Sequence, residues 1–465
     1  MTSTLRKIVG AYDVRGLVDS ELTPDVAEVL GVAWVVTQGL VGQTVIIGHD
    51  MRPSSPALAD GLARGASSAG AHVVELGLAS TDMVYYASGS LDASSVMITA
   101  SHNPASYNGL KFTKPGAKGL SRANGLAEIA DTASEVLAGH RAESGQPGSR
   151  QTRSMLSDYA HYMRGLVDLS GSRPLRIVID AANGMAGLTV PEVFSDPTWP
   201  VEIIPMYFEL DGTFPNHEAN PLNPDNLVDL QAAVVSHSAD AGLAFDGDAD
   251  RVFVIDENGD PVTPSAIAQM VAAREIARYR DINPDGRPTI IHNLICSRAV
   301  PERIVALGAT PHRTAVGHSL IKTEMEKTGA IFGAEHSAHY YFADFWGADN
   351  GMLAALHVLA ELGGSRQTLS DLCADYSPYV ASGELNFRVE DVDRVMARIL
   401  DRFGPTGDVD RLDGITVSST GPDMWWFNVR SSNTEPLVRL NVEAGSVTAM
   451  EALRDTVSAV ISGEN

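Results

Sequence analysis

The sequence predicts an α/β protein of several domains, and three observations predict it. Short β-branched runs alternate with helical stretches along most of the chain, the pattern of sheets covered on both faces. Thr-Pro and Ser-Pro pairs recur where helices should begin, with a capping hydroxyl before a proline in the first turn. The length of 465 residues exceeds what one core supports, so three or four domains are expected.

The elements follow in order. Thr23-Pro24 opens a helix; Val29 to Val36 lies within it and is too short to cross a bilayer. Thr44 to Ile47 reads as a buried strand, and Ser55-Pro56 starts a helix running to Gly70. His72 to Leu76 and Ser95 to Ile98 are strands. Gly139 to Arg153, rich in Gly, Ser, Pro and charge, marks a first boundary. A helix around Ser154 to Leu169 then precedes the strand Arg176 to Asp180, and Asn183-Gly184 turns into the next helix. Gly242 to Phe245 and Val252 to Ile255 are strands flanking an acidic loop, and Asn258-Gly259 signals a hairpin. Thr263-Pro264 opens a helix to about Ile276, followed by the strand Thr289 to Ile291 and a helix from Gly351 to Leu362. From about Leu369 the pattern changes. Strands Gly414 to Val417 and Trp425 to Val429 and a helix from Ala449 indicate a smaller α+β domain. The expected domains are 1–150, 151–260, 261–368 and 369–465. No short-period repeat is present, although three similar α/β units in a row suggest an old duplication.

With 34 Lys+Arg against 58 Asp+Glu the net charge is -24. A surface that acidic disfavours nucleic acid and anionic membranes as partners. An anionic substrate would therefore need basic groups gathered locally. The two cysteines, Cys296 and Cys373, form neither a disulfide framework nor a metal spacing, which fits a reducing, cytoplasmic location. Met1 to Gly16 does not read as a signal peptide.

Four loops can carry chemistry. The strand ending at Ile98 runs into Thr99-Ala100-Ser101-His102-Asn103-Pro104, and ligands in open α/β sheets sit beyond the carboxyl ends of strands. Taken alone, this segment reads better as a strand-ending turn whose hydroxyl caps the backbone. Lys111 follows what looks like a turn at Asn108-Gly109. Asp246, Asp248 and Asp250 alternate with small residues, so an extended segment would aim three carboxylates at one point. Oxygens with open positions suit Mg²⁺. An EF-hand would need Gly where Arg251 stands, and helices where strands flank. Without a cation the three carboxylates would repel, so metal binding is preferred over a solvated turn. Arg251 adds a fixed cation. The segment Gly333 to His339 follows a short strand, Ala330 to Phe332, and forms a third loop in which Glu335, Ser337 and His339 alternate, which reads equally as a sugar-hydroxyl site or a polar turn. Arg430-Ser431-Ser432-Asn433-Thr434, with Arg439 after it, reads as an anion cradle in preference to a hairpin turn with exposed polar residues, because donors are concentrated there in an otherwise acidic chain.

Together, in this order, the four loops resemble those of the α-D-phosphohexomutase family, and the resemblance spans the whole chain. Tyr12-Asp13-Val14-Arg15-Gly16 and Gly48-His49-Asp50-Met51-Arg52 are similar to two further family motifs, with His49 where an arginine is common. The resemblance implies four domains around a central cleft: three similar α/β domains with mixed sheets and a smaller C-terminal α+β domain. It implies that Ser101 carries a phosphoryl group and, with Asp246, Asp248 and Asp250, holds Mg²⁺. Glu335 and Ser337 would bind sugar hydroxyls, and Arg430, Ser432, Asn433 and Thr434 the non-reacting phosphate. Tyr12, Arg15, Lys111, Arg251, His318 and His339 match cleft positions, with Lys111 and His339 candidates for proton transfer. The implied reaction passes through a hexose 1,6-bisphosphate, which also acts as activator, on a small hexose phosphate substrate and in a monomer or dimer. Ser-Asn-Thr-Glu-Pro and Ser-Ala-His look like the phosphomannomutase group, so mannose 6-phosphate is the first expectation, feeding nucleotide-sugar synthesis. Glucose and glucosamine phosphates, a hydrolase and a non-catalytic sugar sensor are the alternatives.

Overall fold

A computed structural model describes residues 5, 7–139, 146–419, 421–431 and 437–463, except the side chains of His318 and Ser319. The chain forms two compact units. The first comprises Met1–Val262, Met325–Lys327 and Ser337–Ser370; the second comprises Thr263–Glu324, Thr328–His336 and Asp371–Asn465.

In the first unit, one sheet contains β1 (Val14–Leu17), β2 (Thr44–His49), β3 (His72–Leu78), β4 (Ser94–Ile98), β5 (Tyr107–Lys114), β6 (Lys118–Gly119) and β7 (Arg150–Thr152). Its order is β1-β5-β4-β2-β3-β7, with β6 beside β5. Strands β4, β2, β3 and β7 run parallel, with the helix Ser55–Ser68 joining β2 to β3 and the helix Thr81–Ser90 joining β3 to β4. Thr23 caps Pro24–Thr37 by accepting from the Val26 N–H. Strand β5 reverses direction against β4 and β1, which leaves the Ser101 segment at the carboxyl end of β4. The second sheet has the order β12-β11-β10-β8-β9, from β8 (Leu175–Asp180), β9 (Val201–Met206), β10 (Ala241–Phe245), β11 (Val252–Ile255) and β12 (Pro261–Val262). Here β8, β9 and β10 are parallel and β11 reverses, so the acidic loop also lies where a parallel strand meets an antiparallel neighbour.

In the second unit, β13 (Thr289–Asn293) lies parallel to β14 (Thr310–Thr314) and β15 (Phe332–Ala334). Thr263 caps the helix Pro264–Ile282, which extends beyond the expected Ile276. The chain then returns to the first unit, where β16 (Tyr340–Phe342) pairs antiparallel with β17 (Ala348–Asp349) and Asn350 caps the helix Gly351–Gly364. The last sheet, in the second unit, is antiparallel throughout: β18 (Val380–Arg388), β19 (Asp408–Asp410), β20 (Ile415–Ser418), β21 (Trp425–Ser431) and β22 (Leu437–Ala444), in the order β18-β22-β21-β20-β19. Val395, Ile399 and Phe403 of one helix and Met450, Val457 and Ile461 of another share a core with Val417, Phe427, Val429 and Leu440. This is the expected α+β arrangement.

Four local expectations are corrected. Ser55 does not cap its helix; Ser54 occupies the cap position, and the Ser55 hydroxyl donates to Asp50 Oδ1. Asn108-Gly109 is not a turn but lies inside β5, between β1 and β4. A Cβ at Gly109 would fall 2.5 Å from Val14 O and 2.7 Å from Thr99 O, so glycine is there for close approach. The strand before Glu335 is Phe332–Ala334, so Gly333 and Ala334 pair with β13 rather than lying in the loop. The acidic loop is a turn, not an extended segment, and Ala249 has φ 62. The chain must reverse there to form β11, and the reversal brings the carboxylates together.

Candidate active site

Ser101 lies just beyond β4 with φ 49, a left-handed conformation uncommon for a residue with a Cβ. Such strain persists where surrounding contacts over-determine it. The Ser101 N–H donates to Thr99 Oγ1 at 2.9 Å, and its carbonyl accepts from Arg52 Nη2 at 2.9 Å. Its hydroxyl donates to Asp246 Oδ2 at 2.8 Å. Beneath it, a Cβ at Gly247 would lie 2.5 Å from Ser101 O.

Asp246, Asp248 and Asp250 are buried, and their carboxylate oxygens lie within 4.8 Å of one another. Arg251 donates through Nε and Nη2 to Asp246 Oδ2 at 3.0 and 2.8 Å. Lys111, reaching from β5, donates to Asp248 Oδ2 at 2.6 Å and Asp250 Oδ2 at 2.8 Å. The Thr81 hydroxyl donates to Asp248 Oδ2 at 2.6 Å, and the Thr81 N–H to the Asp248 carbonyl. What remains is informative: Oδ1 of Asp248 and Oδ1 of Asp250 are buried and, among the described residues, accept no hydrogen bond. Buried carboxylate oxygens without donors are costly, and a hard cation would satisfy both. The residues therefore fit Mg²⁺.

The electrostatics agree. Burial pushes the Asp246 carboxyl up to about 7; Arg251 opposes the rise and Asp250 and Asp248 add to it. Burial also disfavours charge on Lys111, but Asp248 and Asp250 more than reverse this and hold its ammonium protonated. Asp248 and Asp250 stay below the usual carboxylate range: burial works against them most, and Lys111, with Thr81 at Asp248 and with His339 and Arg251 at Asp250, more than offsets it. Burial, with Arg251 and Arg15 nearby, drives His102 down to about 2. Its Nδ1 accepts from Arg251 Nη2 at 2.6 Å.

Other expected residues fall as follows. Arg15 donates to Asn103 Oδ1 at 2.8 Å and Asp13 Oδ2 at 2.7 Å, so it braces the serine loop. Tyr12 is half-buried just before β1. His339 lies 2.9 Å from Ser337 Oγ through Nδ1 and groups with Asp250 and Asp349. In the second unit, Glu335 is buried and accepts from the Gly317 N–H. Arg430 is also buried, donating to Asn441 Oδ1 at 2.9 Å and Glu384 Oε2 at 2.5 Å. Arg439, directly opposite Arg430 on β22, is 3.4 Å from the same carboxylate, so Glu384 separates two like charges. Ser432, Asn433, Thr434 and the His318 side chain lie outside the described residues. The sequence reading assigned no role to Thr81 or Arg52. The Ser80-Thr81 pair is an N-cap signal that could have found the first: Ser80 caps the helix Thr81–Ser90.

Comparison with known proteins places this arrangement. Four family models match in order: phosphoglucomutase/phosphomannomutase domain I over residues 6–137, domain II over 157–259, domain III over 266–379 and the C-terminal domain over 384–460. The chain belongs to the phosphoglucomutase/phosphomannomutase family, the α-D-phosphohexomutases. Proteins named phosphohexose mutases from Xanthomonas campestris are 36% identical over 458 residues, covering 97% of this chain and 98% of theirs. Proteins named phosphomannomutase from Salmonella typhimurium and Escherichia coli are 36% identical over 459 residues, with the same coverage. A solved phosphoglucomutase/phosphomannomutase family protein from Burkholderia thailandensis has a TM-score of 0.87 at 30% identity, covering 100% of this chain and 98% of that one. The chain is thus a phosphohexomutase of phosphomannomutase-like sequence. Among the described residues, no helix is long and apolar enough to cross a membrane.

Proposed function

We propose that this phosphohexomutase interconverts mannose 6-phosphate and mannose 1-phosphate, carrying the phosphoryl group on Ser101. The observation that carries the reading is the Ser101 hydroxyl bonded to one aspartate of a buried triad whose other members have donor-free oxygens. Asp246, Asp248 and Asp250 would hold Mg²⁺, which when bound neutralises charge on a transferring phosphoryl group.

The chain's own residues account for the rest. The left-handed turn holds the Ser101 oxygen toward Asp246, so it is positioned before substrate arrives. Phospho-Ser101 donates to one hydroxyl of a hexose monophosphate, giving a hexose 1,6-bisphosphate. The bisphosphate reorients, and its other phosphate returns to Ser101. The same bisphosphate is the activator that phosphorylates a bare Ser101. Lys111, held protonated, is a fixed cation and proton donor, and His339 is the group that accepts the sugar hydroxyl proton. Arg15 and Arg251 supply positive charge beside Ser101, against the acidic whole. Glu335 and Ser337 read the sugar hydroxyls. Arg430, Ser432, Asn433 and Thr434 grip the non-reacting phosphate, with Tyr12 and His318 completing the site.

Mannose rests on the full-length relatives named phosphomannomutase. Relatives named phosphohexose mutases, and the family description phosphoglucomutase/phosphomannomutase, favour a second accepted hexose, glucose. A coupled assay across mannose, glucose and glucosamine 6-phosphates tests this. Mannose 6-phosphate should turn over fastest or equal to glucose 6-phosphate; faster glucosamine 6-phosphate turnover would contradict it.

A further inference from the structure

We infer that Arg52 is the positioning residue of the serine loop, the group that fixes Ser101 in its transfer geometry. This rests on the phosphoserine reading. Arg52 is fully buried, and its guanidinium is engaged by the protein itself. Each of its five guanidinium hydrogens has an acceptor. Nε donates to Asp50 Oδ2 at 3.2 Å. Nη1 donates to Pro104 O at 2.9 Å and Tyr107 O at 3.0 Å, and Nη2 to Ser101 O at 2.9 Å and Asn103 O at 2.7 Å. Four of those acceptors are main-chain carbonyls of the single segment that carries Ser101.

The charge itself is supported on several sides. Asp50 Oδ1 accepts from the Arg52 N–H at 3.0 Å and from the Ser55 hydroxyl. The Phe214 ring lies 5.1 Å from the guanidinium carbon. Asp50 is tied to the sheet through its N–H, which donates to Ile98 O. The chain of contacts therefore runs from the end of β4, through Asp50 and Arg52, back to the loop that leaves β4. The six residues from Ser101 to Ser106 lie in neither helix nor strand, and their turns close with Asn103 N–H to Ala100 O and Tyr107 N–H to Pro104 O, so the hold on the carbonyls of Ser101 and Asn103 comes from elsewhere. The planar five-donor fork supplies it, and an ammonium with three donors does not.

The consequence is kinetic rather than a matter of substrate affinity. Ser101 holds a strained φ of 49, and its carbonyl is one of the carbonyls that Arg52 grips. Releasing the grip lets the loop relax and moves Oγ away from Asp246. A displacement of about 1 Å at a reacting atom costs about 10²-fold in rate. Groups that hold the sugar are untouched.

The test uses Arg52→Lys, which keeps the charge, in the full-length enzyme with mannose 6-phosphate and glucose 1,6-bisphosphate. Single-turnover labelling of Ser101 and kcat should both fall about 10²-fold, with KM within about threefold. Unchanged kcat and labelling in folded protein, or a loss confined to KM, would overturn the inference. Phe214→Leu, which loosens the same guanidinium, carries the test if Arg52→Lys does not fold. A lower kcat at unchanged KM supports the inference, and wild-type kcat refutes it. Ser101→Ala is run beside them. Label on Ser101→Ala would overturn the phosphoserine reading itself, whereas wild-type labelling with unimpaired Arg52→Lys would overturn only the role of Arg52.

Discussion

The Ser101 hydroxyl donates to Asp246 Oδ2 at 2.8 Å, joining residues 145 positions apart. Each belongs to a loop at the end of a parallel strand, β4 or β10, where the next strand reverses. The same topological feature, used in two sheets, presents the proposed nucleophile and a carboxylate of the proposed metal site to each other.

Lys111 satisfies the acidic triad only in part. Its Nζ bonds Oδ2 of both Asp248 and Asp250, and among the described residues neither Oδ1 accepts a hydrogen bond, with Arg251 Nε 3.8 Å from Asp250 Oδ1. Lys111→Met should therefore destabilise the metal-free protein by about 3–5 kcal/mol, the cost of orphaning buried charge. Magnesium should recover much of that loss. Thermal melts with and without magnesium check this; equal magnesium shifts in variant and wild type would count against it.

Thr81 orients Asp248 by a 2.6 Å hydrogen bond. Thr81→Val should weaken apparent magnesium affinity by about 10–100-fold, and Thr81→Ser should restore most of it. Activity titrated against magnesium reads both. An unmoved titration for Thr81→Val would remove Thr81 from the metal support.

Gly247→Ala would place a methyl 2.5 Å from Ser101 O. The clash should cost about 1–3 kcal/mol of stability and lower kcat by displacing the serine loop. Wild-type kcat in this variant would show that the loop yields without consequence.

His292 in β13 is buried, and burial draws its ring down to about 4. Its Nδ1 lies 3.1 Å from Asn293 O. Below the ordinary histidine value near 6.5 the unfolded chain binds a proton that the folded chain refuses. Stability therefore falls as pH drops from about 6.5 to about 4, by up to about 3 kcal/mol. His292→Asn should flatten that part of the profile in denaturant titrations. An unchanged slope would contradict the assignment.

The parts legible in the sequence are those set by neighbours along the chain. Thr23-Pro24 and Thr263-Pro264 cap their helices as local chemistry dictates. Asp246, Asp248 and Asp250 are close in sequence, so their convergence was readable even though the turn at Ala249 was not. Asn108-Gly109 misled because its glycine answers to Val14 and Thr99, residues distant in sequence, and not to a turn. The Ser80-Thr81 pair marks a helix start but not the reach of Thr81 to Asp248, 167 positions away, and nothing beside Arg52 in the chain signals its bond to the Ser101 carbonyl, 49 positions away.

The central claim is that Ser101 carries the phosphoryl group. Intact and peptide mass spectrometry after incubation with glucose 1,6-bisphosphate and magnesium tests it most directly. The account predicts one phosphoryl group per chain, on Ser101, discharged by mannose 6-phosphate and absent from Ser101→Ala. Phosphate on another residue, or equal labelling of Ser101→Ala, would contradict it.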